Sequence, residues 1–233
     1  MKRYLHSIRP DCIFDFEDWG TVAYGEALRR QTEAFEALLE AKREGRELRS
    51  HLFFCSHLPV ITMGRNARTE NLLVTAEQLA LRGVELFDVS RGGDATFHGP
   101  GQLTVYPVFN LELLRMGLRL YIRTLEDIVI AFLNDYGLAG QRMEGAAGVW
   151  LDADSRPRKI CAIGVRCSRF VTMHGLALNV NTDLRGFSLI NPCGFTDRGV
   201  TSLAAELGGP QDMEEAKRRL LTLFADRFAA PTV

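Results

Sequence analysis

Residues 148 to 181 constrain the fold more tightly than any other stretch. "GVWL", a polar turn "DADSRPR", "KICAIGVRCS" and then "FVTMHGLALNVN" read as three strands in succession, each run alternating or apolar and each connection short. Strands joined that closely pair antiparallel. Helical periods flank this block. "TVAYGEALRRQTEAFEALLEAKREG" brings Tyr24, Leu28, Phe35 and Leu38 near one face and stops at Gly45, and "LYIRTLEDIVIAFLNDYG" repeats the pattern with Leu125, Ile128 and Phe132 before Gly137. In the final helix, "MEEAKRRLLTLFADRFA", Asp212 and Glu215 fit a capping box. "HLFFCSHLPVITMG" predicts two short strands around Leu58-Pro59, and "VELFDVS" predicts one more. "LTVYPVFNL" alternates as a strand in which Pro107 predicts an edge or a break. Mixed strands and helices with antiparallel hairpins make the class α+β. With no internal repeat or linker, one domain over residues 1–233 is expected.

Composition narrows the functions open to such a chain. Lys and Arg number 28 against 29 Asp and Glu, and no basic run tracks a phosphate backbone, which argues against a nucleic-acid partner. The first twenty residues lack the apolar stretch of a secretory signal, and no segment is long enough to cross a bilayer. A cytoplasmic protein with no membrane partner is therefore expected. The five cysteines, Cys12, Cys55, Cys161, Cys167 and Cys193, are odd in number and form no CxxC, so reduced thiols are expected rather than a disulfide framework.

Four segments have compositions that packing alone does not demand. "RGGDATFHGPGQ" places four glycines, Arg91 and His98 within twelve residues; it lets a backbone approach a ligand closely, or it is a tight turn with a surface arginine. It matches neither a Walker A loop nor GxGxxG. In "KICAIGVRC", strand alternation puts Lys159 on the face of Cys161, Ile163 and Val165, where a desolvated amine could serve as a base. The alternative has Lys159 begin the strand and reach into water. His174 alternates with Leu176, Leu178 and Val180, the pattern of a satisfied core histidine. In "LINPCGF", Pro192 and Gly194 hold Cys193 on a rigid bend, either as a buried filler or as a nucleophile. His98, His174 and Cys193 could together bind zinc in a hydrolase, although no short metal-ligand spacing is present.

Taken together, "RGGDATFHGPGQL", "RKICAIGVR", "HGLALNVNTDL" and "INPCG", in this order, resemble the lipoyl(octanoyl) transferases. The likeness extends more weakly from "HLPVITMGR" to "VTSLAAELG". It implies an α+β fold like that of biotin and lipoate protein ligases, with a mixed sheet and flanking helices. It also implies transfer of an octanoyl group from the phosphopantetheine thioester of acyl carrier protein to a specific lysine of lipoyl domains. Those acceptors are carried by the E2 subunits of 2-oxoacid dehydrogenases and by the glycine cleavage H protein. In the resemblance Cys193 forms the acyl-enzyme and Lys159 activates it. The acyl substrate is bound by Arg91, Gly92, Gly93, Asp94, Ala95, Thr96, Phe97 and His98, by Ala162, Ile163 and Gly164, and by Gly175, Leu176 and Ala177. His174 is a possible addition, and Asp94 stands where the family varies.

The implied chemistry is physically reasonable. A cysteine with a pKa near ~8.5 is only a few per cent thiolate at neutral pH, and a nearby ammonium that lowers it by roughly 1.5 to 2 units makes about half reactive. Exchange of one thioester for another is nearly balanced and amide formation is downhill, so neither a cofactor nor a metal is expected. Small residues in "CAIG" and "GLAL" leave room for an unbranched chain. The rivals are an ATP-dependent lipoate or biotin ligase and a catalytically silent binding protein for carrier or lipoyl domains.

Overall fold

The computed structural model describes residues 12–191 and 199–229. Along the chain run β1 (Phe14–Val22), α1 (Tyr24–Arg43), β2 (Ser50–His57), β3 (Val60–Met63), α2 (Ala76–Leu81), β4 (Glu85–Asp88), β5 (Ala95–His98) and β6 (Gln102–Val108). Then come α3 (Leu118–Asn134), β7 (Gln141–Met143), β8 (Ala146–Leu151), β9 (Arg158–Ser168), β10 (Val171–Asn179), β11 (Gly199–Val200), α4 (Leu203–Leu207) and α5 (Met213–Arg227). The main sheet has the order β1-β2-β6-β10-β9-β8-β7, with β11 beside β9. Its β1/β2 and β11/β9 pairs are parallel and the others antiparallel. A smaller sheet, β4-β3-β5, is also mixed. The architecture is α+β.

Both faces of the main sheet are covered. On one, Leu52, Phe54, Leu103 and Val105 pack with Leu125, Ile128 and Phe132 of α3 and with Leu220 and Phe224 of α5. On the other, Phe53, Cys55, Tyr106 and Val108 pack with Ala27, Phe35 and Leu38 of α1. Successive side chains of a strand point to opposite faces, so a strand buried twice is apolar at every step, as "LFFC" is. Among the described residues no helix is long and apolar enough to cross a membrane.

Two local expectations change. Pro107 lies in β6, a central strand, rather than at an edge or a break. It falls beyond Val105, the last β6 residue that β10 pairs with, so that ladder does not require the donor it lacks. At α5 the Asp212 carboxylate accepts the N–H groups of Glu214 and Glu215, whereas the Glu215 side chain turns to Arg218 and Arg219, so only half of the capping box forms. A complete box, Thr75 with Gln78, starts the short helix α2 instead.

Candidate active site

The β9/β10 ladder sets Ala162 opposite Ala177 and Gly164 opposite Gly175. Facing residues of an antiparallel pair share a side of the sheet. Their neighbours Cys161, Ile163, Leu176 and Leu178 belong to the core against α3 and α5. The same two strands thus carry bulk on one face and almost no side chain on the other, and a cavity of about 590 Å³ opens over the small residues. That volume lies in the ~300–1,000 Å³ range of small-molecule sites. Leu118, Ile122, Trp150 and Phe187 supply apolar walls.

Lys159 is on this side, contrary to plain alternation. β8 pairs Val149 with Cys161 and then Trp150 with Lys159, so Ile160 has no partner and the strand carries an extra residue. A bulge of this kind reverses the facing of everything beyond it. Ile160 joins Cys161 in the core, and Lys159 swings out of that face into the cavity lining. The residue is half-buried, and its ammonium stands 4.5 Å from the centre of the Trp150 ring, a cation–π contact.

The glycine-rich segment closes the cavity from above. The Gly92 N–H donates to the Val165 carbonyl (2.9 Å), and a Cβ on Gly164 would meet the Gly92 carbonyl oxygen at 2.7 Å, so glycine there allows loop and sheet to touch. Arg91, only 8% exposed, turns its guanidinium inward: Nη2 donates to the Thr62 carbonyl (2.6 Å) and hydroxyl (2.8 Å). Oriented hydrogen bonds continue from Thr62. Its hydroxyl faces Nε2 of His98 (3.4 Å), and His98 Nδ1 meets Oε1 of Gln102 (2.8 Å). Gln102 Nε2 donates to Oδ1 of Asn179 (2.9 Å), whose Nδ2 donates to the Thr201 carbonyl (2.9 Å). The Thr201 N–H in turn donates to the Lys159 carbonyl (3.0 Å). The chain of bonds assigns the proton of neutral His98 to Nδ1 and ties the arginine of the loop to the backbone of Lys159.

Asp94 also has a definite setting. Its carboxylate accepts from Nδ2 of Asn71 (2.7 Å) and from the Ala95 N–H (2.6 Å). The Asn71 carbonyl accepts the Asn191 N–H (2.7 Å). Asn191 is the last described residue before the proline, cysteine and glycine of "NPCG".

His174 lines the cavity with a φ of 59°, a left-handed backbone that few non-glycine residues take. Its N–H donates to Oε1 of Gln31 (3.0 Å), and Nε2 lies 3.4 Å from the Ser90 hydroxyl. Burial first, then Arg91 and Arg166, push its pKa down to about 3. His98 is likewise held at about 3 by burial, then His57 and Arg91. Both imidazoles are neutral at physiological pH. Among the described residues no three His, Cys, Asp or Glu side chains converge as a metal site.

Of the residues expected at the site, Lys159, Arg91 to Thr96, His98, Ala162 to Gly164 and His174 to Ala177 all border the cavity. Phe97 does not; it packs with Ile61 and Phe187 beneath the small sheet. Cys193 lies outside the described residues. The chain leaves at Asn191, held by Asn71, and returns at β11, where Val200 pairs with Lys159. Trp150, Thr62, Gln102, Asn179 and Asn71 were not foreseen; the signal for Gln102 and Asn179 was polarity inside apolar strands. Burial raises the thiols of Cys55 and Cys161 well above the ordinary range, so neither is a ready nucleophile.

An α+β frame with a small-residue cavity between two mixed sheets defines the lipoate- and biotin-ligase class of fold. The structure of a bipartite lipoate protein ligase from Thermoplasma acidophilum superposes with a TM-score of 0.66 at 18% identity, covering 91% of this chain and 82% of that one. The family model for the lipoyl protein ligase A/B catalytic domain matches residues 25–225, and the chain belongs to that family. An octanoyltransferase of Parabacteroides distasonis is 58% identical over 93% of this chain and 99% of its own length. One of Bacteroides fragilis is 54% identical over 87% and 92%. The chain is an enzyme, an acyltransferase of protein lipoylation.

Proposed function

We propose that the enzyme takes an octanoyl group from an acyl carrier protein thioester onto Cys193 and passes it to the amino group of a lysine on a lipoyl domain. The observation that carries this reading is the bulge at Ile160, which turns the Lys159 ammonium away from the core and into a cavity floored by Ala162, Gly164, Gly175 and Ala177. The strand by which the chain returns from "NPCG" lies against Lys159 itself. Cys193 is six residues upstream of that strand and two downstream of Asn191, within roughly 7 Å of the latter along the chain.

In the first step the Lys159 ammonium, having taken the thiol proton, pairs with the Cys193 thiolate, and the sulfur attacks the thioester carbonyl. The carrier thiolate departs and recovers a proton from Lys159. In the second step the acceptor amine attacks the new thioester, Lys159 takes its proton, and the Cys193 thiolate leaves. Arg91 to Thr96, His98, Ala162 to Gly164 and Gly175 to Ala177 border the acyl chain, while Phe97 packs beneath them. Arg91 and His98 act by holding the loop in place, because their polar atoms bond within the protein. These steps consume no ATP, which separates the reading from a ligase.

Intact-protein mass spectrometry after mixing with octanoyl carrier protein tests it. The expected result is a hydroxylamine-labile octanoyl adduct that passes to a lipoyl domain, absent in Cys193→Ser and Lys159→Ala proteins that remain folded. An adduct formed only from free octanoate with ATP would make the protein a ligase, and an active alanine variant at either position would sink the dyad.

A further inference from the structure

The mouth of the cavity has a second feature. A hollow bordered by Arg119, Arg123, Arg142 and Glu144 adjoins it and shares Gly145, Ala146 and Ala147 with it. On α3, Leu118 and Ile122 face the cavity while Arg119 and Arg123, one position on in each case, face the hollow. Both arginines are exposed. The nearby carboxylates are already engaged. Glu126 accepts from Nε of Arg142 (3.0 Å) and from the Gly148 N–H (3.2 Å), and Asp127 is paired with Arg142 and Arg227. Arg119 and Arg123, both bordering the hollow, have no ion pair among the described residues. Glu144 is the one opposing charge left in the hollow.

Apolar side chains on this helix and just before it are exposed: Leu118 is 40% exposed, Leu120 53% and Leu113 62%. The Gly117 N-cap provides no side-chain acceptor, so the first turn of α3 adds its own positive end. A small anion would need the charge but not the leucines. A folded acidic partner uses both.

We propose that the first two turns of α3, through Arg119 and Arg123, dock the acidic protein that carries the acyl thioester and guide its thioester arm across Gly145 to Ala147 into the cavity. This rests on the donor assigned above. Arginines at the rim of such a contact act mainly on encounter and are screened by salt.

The test compares three substrates on the full-length enzyme: octanoyl carrier protein, octanoyl-pantetheine as a donor without the protein, and the lipoyl domain. In Arg119→Glu/Arg123→Glu the KM for the carrier-bound donor should rise about tenfold or more, while the small donor and the acceptor change by less than about twofold. The wild-type KM for the carrier should climb with ionic strength and that of the double variant should not. Arg119→Lys/Arg123→Lys should retain most of the affinity, and Glu144→Lys should improve it. Arg119→Glu puts negative charge in the first helical turn, where it is favourable, whereas Arg123→Glu lies one turn before Glu126 and Asp127, so circular dichroism and the single Arg119→Glu variant check that the helix stays folded. An unchanged carrier KM, an equal loss with octanoyl-pantetheine, or a rise confined to the lipoyl domain would each overturn the proposal. Wild type that consumes neither thioester would instead remove the donor assignment beneath it.

Discussion

Strands β9 and β10 have two unlike faces. Toward α3 and α5 they present Cys161, Ile163, Leu176 and Leu178 to a core with Phe132 and Phe224 at its centre. Toward the cavity the same strands present Ala162, Gly164, Gly175 and Ala177, with a hydrogen-bonded run of Arg91, Thr62, His98, Gln102 and Asn179 at its edge. Room for a ligand is thus made by trimming side chains from a sheet whose other face stays fully packed. One face carries the stability that lets the other remain hollow, and chemistry and folding can be perturbed separately.

Removing bulk from the packed face should produce the largest effect. Phe132→Ala should cost ~3–5 kcal/mol of stability while octanoyl transfer per folded molecule at low temperature stays near wild type. Urea unfolding and active-site titration measure the two, and a parallel loss of both would break the independence of the faces. The converse change adds one methyl to the hollow face. Gly164→Ala should lower transfer about a hundredfold, ~2.7 kcal/mol in the barrier, by lifting the loop at Gly92, with little change in Tm. Wild-type kinetics in that variant would mean that the loop moves freely.

Buried histidines sharpen the contrast through pH. His57, with a pKa of about 4, and His98 and His174, with values of about 3, are all depressed by burial from ~6.5. The unfolded chain therefore takes up these protons first. Stability should be complete above ~pH 6.5 and fall as pH drops toward 4, by up to about 1.4 kcal/mol per pH unit for each histidine. Urea midpoints from pH 8 to 4 check this; a His57→Gln variant should have a shallower slope, and a flat wild-type curve would contradict it. The smallest effect is expected at Asp94. Asp94→Ala frees Asn71 and should cost ~1 kcal/mol with a severalfold rise in donor KM, read from denaturation and steady-state kinetics.

Much of this was legible along the chain. The helix that ends before Gly45, the hairpin over "DADSRPR" and the strand "FVTMHGLALNVN" all stand where periodicity and turn residues put them. Three of the four unusual segments meet at one cavity, as expected if they share a substrate. What escaped was whatever depends on a neighbour distant in sequence. Pro107 suggested an edge because a lone strand does not reveal where its partner's ladder ends. The neutral tautomer of His98 required Gln102, and the setting of Asp94 required Asn71.

Lys159 marks the division most sharply. By itself the sequence determined which segments are strands and helices, that "CAIG" and "GLAL" have no bulk to fill a face, and that a lysine begins β9. Only the tertiary structure decided which face that lysine joins. A period of two predicts facing only while the ladder is unbroken, and the break at Ile160 exists because β8 pairs Trp150 with Lys159, a long-range register that no count along β9 contains.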